Sequence, residues 1–237
     1  MKLSAPVHRL KRLAKELSRS DKIPLHAALD RIAQGEGFAT WSLLASRLSA
    51  EELGIDLLAQ LEPGELVLVG SRPNHGKTMK ALELVVRAVQ SGKRGWFFSL
   101  EWTLHDVLKG LEKLGATASD LIGRFEFDGA DALCASYVIE RLADAPPGSV
   151  VVIDYLQLLD QRREHPELAV QVHQLKDFAG KRGLIVVLLS QIDRSYDPGA
   201  SVVPTLDDVR LPNRLDLRLF DKACFLHDGV VKLLAVS

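Results

Sequence analysis

Leu66-Val67-Leu68-Val69-Gly70-Ser71-Arg72-Pro73-Asn74-His75-Gly76-Lys77-Thr78 reads as an apolar strand running into a turn that closes on Gly-Lys-Thr. The residues after Thr78 carry helical periodicity, so the whole is strand, turn and helix, the layout of a phosphate-binding loop. In such a loop the backbone N–H groups at the helix start cradle phosphates, Lys77 reaches the β- and γ-phosphates, and the Thr78 hydroxyl holds Mg2+. The usual pattern has glycine five residues before Gly76. Ser71 stands there, with Gly70 one residue earlier.

Working outward, strands and helices alternate from residue 63 onward, which predicts an α/β domain with a mostly parallel sheet covered on both faces. The predicted elements are a strand at 66–70 and a helix at 78–91 that stops at Gly92. A strand at 95–100 leads to Thr103-Leu104-His105-Asp106, a capping box that opens a helix to Leu114. A loop that can hold short structure then leads to a helix near 131–143. Pro146-Pro147-Gly148 precedes a buried strand, Val150-Val151-Val152-Ile153-Asp154. A helix over 166–182 is expected to start at Pro166, followed by an apolar strand at 184–190. The last segments, 222–227 and 230–236, read as a hairpin turning at Asp228-Gly229.

Upstream, residues 1–50 read as a small module of short helices. Leu3, Val7, Leu10, Leu13, Ala14 and Leu17 recur at helical spacing. Ser20 or Asp21 is placed to cap a second helix ending before Gly35, and a third begins near Thr40. Residues 51–62 read as a connecting helix or linker, and Pro63-Gly64 as a turn. Residues 1–22 carry seven bases against two acids, which leaves the remainder acidic in a chain of net charge −1. This arm suits phosphate backbones, a partner's acidic face, or simple solvation.

Composition sets outer limits. A chain of 237 residues, 47% apolar and 26% charged, is an ordinary globular protein with room for one sizeable α/β core. No apolar run has the length of a membrane span, and the basic amphipathic start lacks a signal-peptide core, so a cytoplasmic location with no membrane partner is expected. Cys134 and Cys224 lack metal-ligand spacing and are expected as reduced, buried thiols.

In a parallel sheet, ligands gather at the carboxyl ends of the strands. Four strands here end in groups suited to nucleotide hydrolysis: the Gly-Lys-Thr loop, Glu101, Asp154, and Ser190-Gln191. Asp154 is expected to hold the Mg2+ shell, directly or through water. Glu101 is expected to polarise the attacking water, and Gln191 to sense the γ-phosphate and signal its loss to the following loop. Singly, each of these residues has an ordinary structural explanation. Their convergence on one sheet edge carries the inference.

These residues resemble a known family, the C-terminal ATPase domain of bacterial replicative DNA helicases of the DnaB type, which has a RecA-like fold. The matching blocks run in family order: Gly64-Glu65-Leu66 into Ser71 through Thr78, then Phe98-Ser99-Leu100-Glu101. Ile153-Asp154-Tyr155-Leu156-Gln157-Leu158 follows, then Leu189-Ser190-Gln191-Ile192-Asp193-Arg194-Ser195, and last Asp207-Asp208-Val209-Arg210. The family commonly has a small non-glycine residue where Ser71 stands. His75 replaces its usual methionine and Asn74 its serine.

The resemblance implies a RecA-like P-loop ATPase domain over 63–237, with ATP and Mg2+ as cofactors. Ser71, Arg72, Pro73, Asn74, His75, Gly76, Lys77 and Thr78 would bind ATP, and Thr78 and Asp154 the metal. Glu101, Lys77 and Gln191 would be the catalytic groups. It further implies a homo-oligomer, such as a hexameric ring, coupling ATP hydrolysis to single-stranded DNA binding or translocation. A DNA-facing loop from about Arg194 to Arg214 would present Arg194, Arg210 and Arg214 to phosphates, unless those arginines are merely solvated.

Two departures qualify this. A helical module with no evident counterpart and no known partner stands where the family has its primase-binding domain. The chain also reaches Ser237 about where the family continues into a Lys-x-Arg segment that lends an arginine finger to the neighbouring subunit. A missing finger costs roughly 10³–10⁵ in rate, unless Arg194, Arg214 or Arg218 substitutes. The alternative reading is therefore a nucleotide-dependent DNA-binding or regulatory protein with weak ATPase activity and no unwinding. A relation to RecA-like recombinases or clock-type ATPases is a third, which the Asp-Tyr-Leu-Gln-Leu block disfavours.

Overall fold

In a computed structural model, residues 4–5, 7–44, 56–73, 75–160, 165–197, 201–211, 213–228 and 230–236 are described. The chain divides into two compact units, residues 1–55 with 228–230, and residues 56–227 with 231–237.

In the first unit, α1 (Val7–Ser20) and α2 (Leu25–Gly35) pack against each other. Leu10, Ala14, Ala28 and Ala33 are buried. The predicted cap of the second helix is not used. Pro24 occupies the N-cap position without a side-chain hydrogen bond, because residues 21–24 turn before the helix begins. Asp21 instead accepts a hydrogen bond from Arg31 at 3.0 Å, and Ser20 Oγ donates to Leu17 O at 3.2 Å. Residues 41–44 are helical, and the rest of the third predicted helix lies outside the described residues. So do residues 51–55 of the connecting helix. Its described part holds only a 3-10 turn at Leu58–Gln60, begun by Asp56 Oδ1 accepting from Ala59 N.

The second unit is built on seven strands in the order β3-β2-β4-β5-β1-β6-β7. They are β1 (Leu66–Ser71), β2 (Gly95–Ser99), β3 (Phe125–Asp128), β4 (Val150–Asp154), β5 (Ile185–Gln191), β6 (Lys222–His227) and β7 (Val230–Ala235). The pairings of β1 with β5 and β6, β2 with β3 and β4, and β4 with β5 are all parallel. The helices are α3 (Lys77–Gln90), α4 (Leu104–Lys113), α5 (Ala118–Leu121), α6 (Ala135–Arg141) and α7 (Leu168–Arg182).

Period-2 alternation divides each central strand between two cores. Leu66, Leu68, Val151, Ile153, Val186 and Leu188 join buried residues of α6 and α7. Val67, Val69, Val150, Val152, Val187 and Leu189 join buried residues of α3 and α4. Both faces are covered, so these strands read as unbroken apolar runs. The Thr103 capping box forms as the sequence predicts: Thr103 Oγ1 accepts from Asp106 N at 3.3 Å, and Asp106 Oδ2 accepts from Thr103 N at 3.2 Å. Gly92 takes φ 81° just past α3, the left-handed conformation its stop position requires. Cys134 and Cys224 are buried and unbridged, and burial pushes the Cys224 thiol up to about 12.

Two short elements fill the loop read before residue 131, and two helices start later than expected. Strand β3 and helix α5 are the short structure within what reads as a loop. Phe-Glu-Phe-Asp at β3 is short, carries two acids and is only half-buried at the sheet edge, so its alternation is weak. Helix α6 begins at Ala135, after a turn at 131–134. Helix α7 begins at Leu168 with Glu167 as N-cap, whose carbonyl accepts from Gln171 N at 3.1 Å, while the Gln171 side-chain amide donates to Pro166 O at 2.8 Å. At the far edge β6 and β7 are sheet neighbours, and Asp228 takes φ 45° in the predicted turn, while Gly229 lies outside the described residues.

Candidate functional site

The parallel registers bring the strand ends together. Ser71 lies opposite Gln191, Gly70 opposite Ser190, and Ser99 opposite Asp154. The groups singled out in the sequence thus share the carboxyl edge of β1, β2, β4 and β5.

The end of β1 and the loop that follows need glycine at two places for different reasons. Gly76, the N-cap of α3, has φ 85° and ψ 11°. A Cβ there meets nothing within 4 Å, so the left-handed backbone demands the glycine, not space. Gly70 is a packing position: a Cβ there would lie 2.9 Å from the Phe225 ring of β6 and 3.1 Å from Ile192 Cδ1. Its presence one residue before the expected loop glycine therefore reflects close approach of β6. Ser71 is buried, and its Oγ donates to Arg72 O at 2.9 Å. Asn74 lies outside the described residues.

Lys77 and Thr78 open α3 and are both buried. Thr78 Oγ1 donates to Asp154 Oδ2 at 3.2 Å. Asp154 is fully buried, and its Oδ1 has no hydrogen-bond partner. Burial raises its carboxyl from the usual range to about 6; the negative charge of Glu101 adds to this, while Lys77 and the Thr78 hydrogen bond oppose it. An orphaned carboxylate oxygen beside a threonine hydroxyl is a hard-oxygen donor pair, the kind Mg2+ takes when phosphates and water complete its shell. The residues therefore fit that ion. Among the described residues no group of three or more His, Cys, Asp or Glu side chains is placed for a metal, so an all-protein cage is absent there.

Glu101 is exposed just beyond β2. Ser99 orients this corner, since its Oγ accepts from Glu101 N and Trp102 N, each at 3.1 Å. Gln191 is half-buried, and its carbonyl accepts from Arg210 N at 2.9 Å while its Oε1 lies 3.5 Å from Arg210 Nη1. An antiparallel bridge between Ile192 and Val209 extends this pairing. Of the three arginines proposed for nucleic acid, Arg210 is thus held against Gln191. Arg194 and Arg214 are exposed, Arg214 on the rim of an open cavity of ≈ 460 Å³.

Two residues acquire positions that no local pattern reveals. Gln157 Nε2 donates to Ser190 Oγ at 3.0 Å and Arg210 O at 2.6 Å, tying the turn after β4 to the end of β5. Its place in the Asp-Tyr-Leu-Gln-Leu block is the only sequence signal for it. Arg72 donates to the carbonyls of Arg194 and Tyr196.

A parallel sheet in this order, with a Gly-Lys-Thr helix start facing a strand-ending aspartate, defines a RecA-like P-loop ATPase fold. The chain is similar, within that class, to the DnaB-type replicative helicases. The sequence model for the DnaB-like helicase C terminal domain matches residues 135–216. A probable plasmid replicative DNA helicase of Chlamydia trachomatis is 27% identical over 180 residues, covering 63% of this chain and 40% of the relative. The replicative DNA helicase DnaB of Helicobacter pylori is 24% identical over 244 residues, covering 90% of this chain and 50% of that protein. The chain thus spans half or less of the length of these relatives.

Solved structures agree on the fold. One solved ATPase domain superposes with a TM-score of 0.55 at 21% identity, covering 70% of each chain. A DnaB-like replicative helicase, described with its interactions with primase, gives a TM-score of 0.59 at 16% identity, covering 98% of this chain and 71% of that one. No helix among the described residues is long and apolar enough to cross a membrane.

Proposed function

We propose that this chain is a Mg·ATP-dependent ATPase of the replicative-helicase type that couples ATP binding and hydrolysis to single-stranded DNA binding or translocation. The observation that carries the reading is the buried Thr78–Asp154 pair at the start of α3, with Asp154 Oδ1 left unsatisfied. Mg2+ bound there would neutralise phosphate charge as it develops in the transition state. The N–H groups at the start of α3 and the Lys77 ammonium hold the phosphates. Glu101, set by Ser99, accepts the proton of the attacking water. Gln191 reads the γ-phosphate and passes its loss to Arg210, which it already touches.

Arg194, Arg210 and Arg214 are the proposed phosphate contacts of a single strand, and their interaction would be salt-dependent. A homo-oligomeric ring, a cytoplasmic location and a partner for the basic N-terminal arm belong to the same proposal. The sequence likeness to replicative helicases supports it. The test is ATP turnover by the purified chain with and without a single-stranded oligonucleotide, alongside Lys77→Ala. Stimulation by the strand, lost in the variant, is expected. A flat, slow rate with nucleotide still bound would instead favour a nucleotide-dependent DNA-binding or regulatory protein with no unwinding activity.

A further inference from the structure

Arg72 belongs to the phosphate loop, one residue past β1, yet its side chain is engaged elsewhere. Its Nη2 donates to Arg194 O at 2.8 Å and to Tyr196 O at 2.6 Å. Its guanidinium carbon lies 5.4 Å from the centroid of the Tyr196 ring. Tyr196 is only 4% exposed, and its hydroxyl donates to Ser201 O at 2.8 Å. That ring packs T-shaped against His227, with centroids 5.2 Å apart and planes at 78°. His227, at the end of β6, in turn stacks on His75 of the phosphate loop at 4.7 Å and 14°. Two residues of one loop therefore grip the segment after β5, Arg72 directly and His75 through His227.

We infer that Arg72 is a positioning residue that fastens the backbone of residues 194–196 to the phosphate loop and thereby links nucleotide occupancy to the setting of that segment. A planar, permanently charged fork suits this task, because it can hold carbonyls and lie on an aromatic ring at once. The grip takes the carbonyl of Arg194 and leaves its own guanidinium exposed, so the strut fixes where that cation is presented. Any movement of the loop on closing around phosphates carries Arg72, and with it two backbone carbonyls. The linkage is reciprocal: whatever nucleotide does to the segment, a strand bound to the segment does to nucleotide affinity. The inference rests on the nucleotide-binding reading above.

The experiment is amide hydrogen exchange over residues 193–197 in the full chain, with and without Mg·adenylyl-imidodiphosphate, and nucleotide affinity measured in parallel. In the wild type, nucleotide should raise protection of this segment. In Arg72→Ala and Arg72→Lys, basal protection should fall about tenfold and the nucleotide response should vanish, because an ammonium cannot reproduce the fork. Tyr196→Leu, outside the phosphate loop, should lose the same response while keeping nucleotide affinity within about threefold. It also serves if Arg72→Ala fails to fold. Full restoration by Arg72→Lys would overturn the inference, since charge alone would then suffice. A wild-type segment that ignores bound nucleotide would overturn it too. Failure of the wild type to bind nucleotide would sink both this inference and the functional reading, which distinguishes that case.

Discussion

Asp154 is an acid held in a place that suits its neutral form, and Asp154→Asn measures what that costs. In the unfolded chain an aspartate titrates at about 3.9, whereas burial beside Glu101 pushes Asp154 up to about 6. The folded state therefore holds the proton more tightly than the unfolded state. Stability falls as pH rises from about 4 to about 6, and the full penalty stands above that. Roughly two pH units correspond to about 3 kcal/mol. Asparagine keeps an acceptor for Thr78 Oγ1 and removes the charge, so at pH 7.5 without Mg2+ the variant should be more stable by up to about 3 kcal/mol. For a chain of this size that is a rise in Tm of about 6–12 °C. The assay is thermal unfolding of both proteins in chelator across pH 4 to 8. The gain should shrink to a small fraction near pH 4, where Asp154 stays protonated in the folded state and is about half protonated in the unfolded one. With Mg2+ and nucleotide the ranking should reverse, because the wild-type carboxylate regains a partner. A gain that does not vary with pH, or no gain at all, would refute the reasoning.

Glu101→Gln should keep Mg·ATP binding and abolish turnover; continued hydrolysis would remove Glu101 from the role of base. Gly70→Ala forces a methyl into the Phe225 ring at 2.9 Å and should lower stability by about 1–3 kcal/mol. Trimming the ring with Phe225→Leu in the same chain should recover part of that loss in denaturant titrations. Gln157→Ala removes the hydrogen bonds to Ser190 and Arg210. It should weaken stimulation of turnover by a single strand more than it weakens nucleotide binding, read as the ratio of the two effects.

Strands β1, β4 and β5 were legible because burial on both faces compresses each into a short apolar run that ends on a functional polar group. The Thr103 box and the Gly92 stop were legible because their geometry is satisfied within four residues. Strand β3 was not, since an edge position half-exposes Phe125 and Phe127 and lets Glu126 and Asp128 break the pattern. Proline's preference for the first helical turn points to Pro166 as the start of α7, whereas the helix begins at Leu168 with Glu167 as N-cap. In the site, Lys77, Thr78 and Asp154 come together as their strand ends suggest. The grips of Arg72 and Gln157 span 122 and 53 residues of sequence, and nothing in their immediate neighbourhood records such distant partners.

The position of β6 beside β1 sets an order of assembly. Strand β1 is made early, but one of its edges waits for β5 and the other for residues 222–227. As the chain emerges, the strand that leads into the phosphate loop presents unpaired N–H and C=O groups for most of synthesis, an open template for wrong pairing. Phe225, whose ring closes against Gly70, arrives with the same late strand. The earliest part of the nucleotide site to be synthesised is thus among the last to be seated. Competence to bind phosphate should appear abruptly, when β6 docks, and not accumulate as the sheet grows.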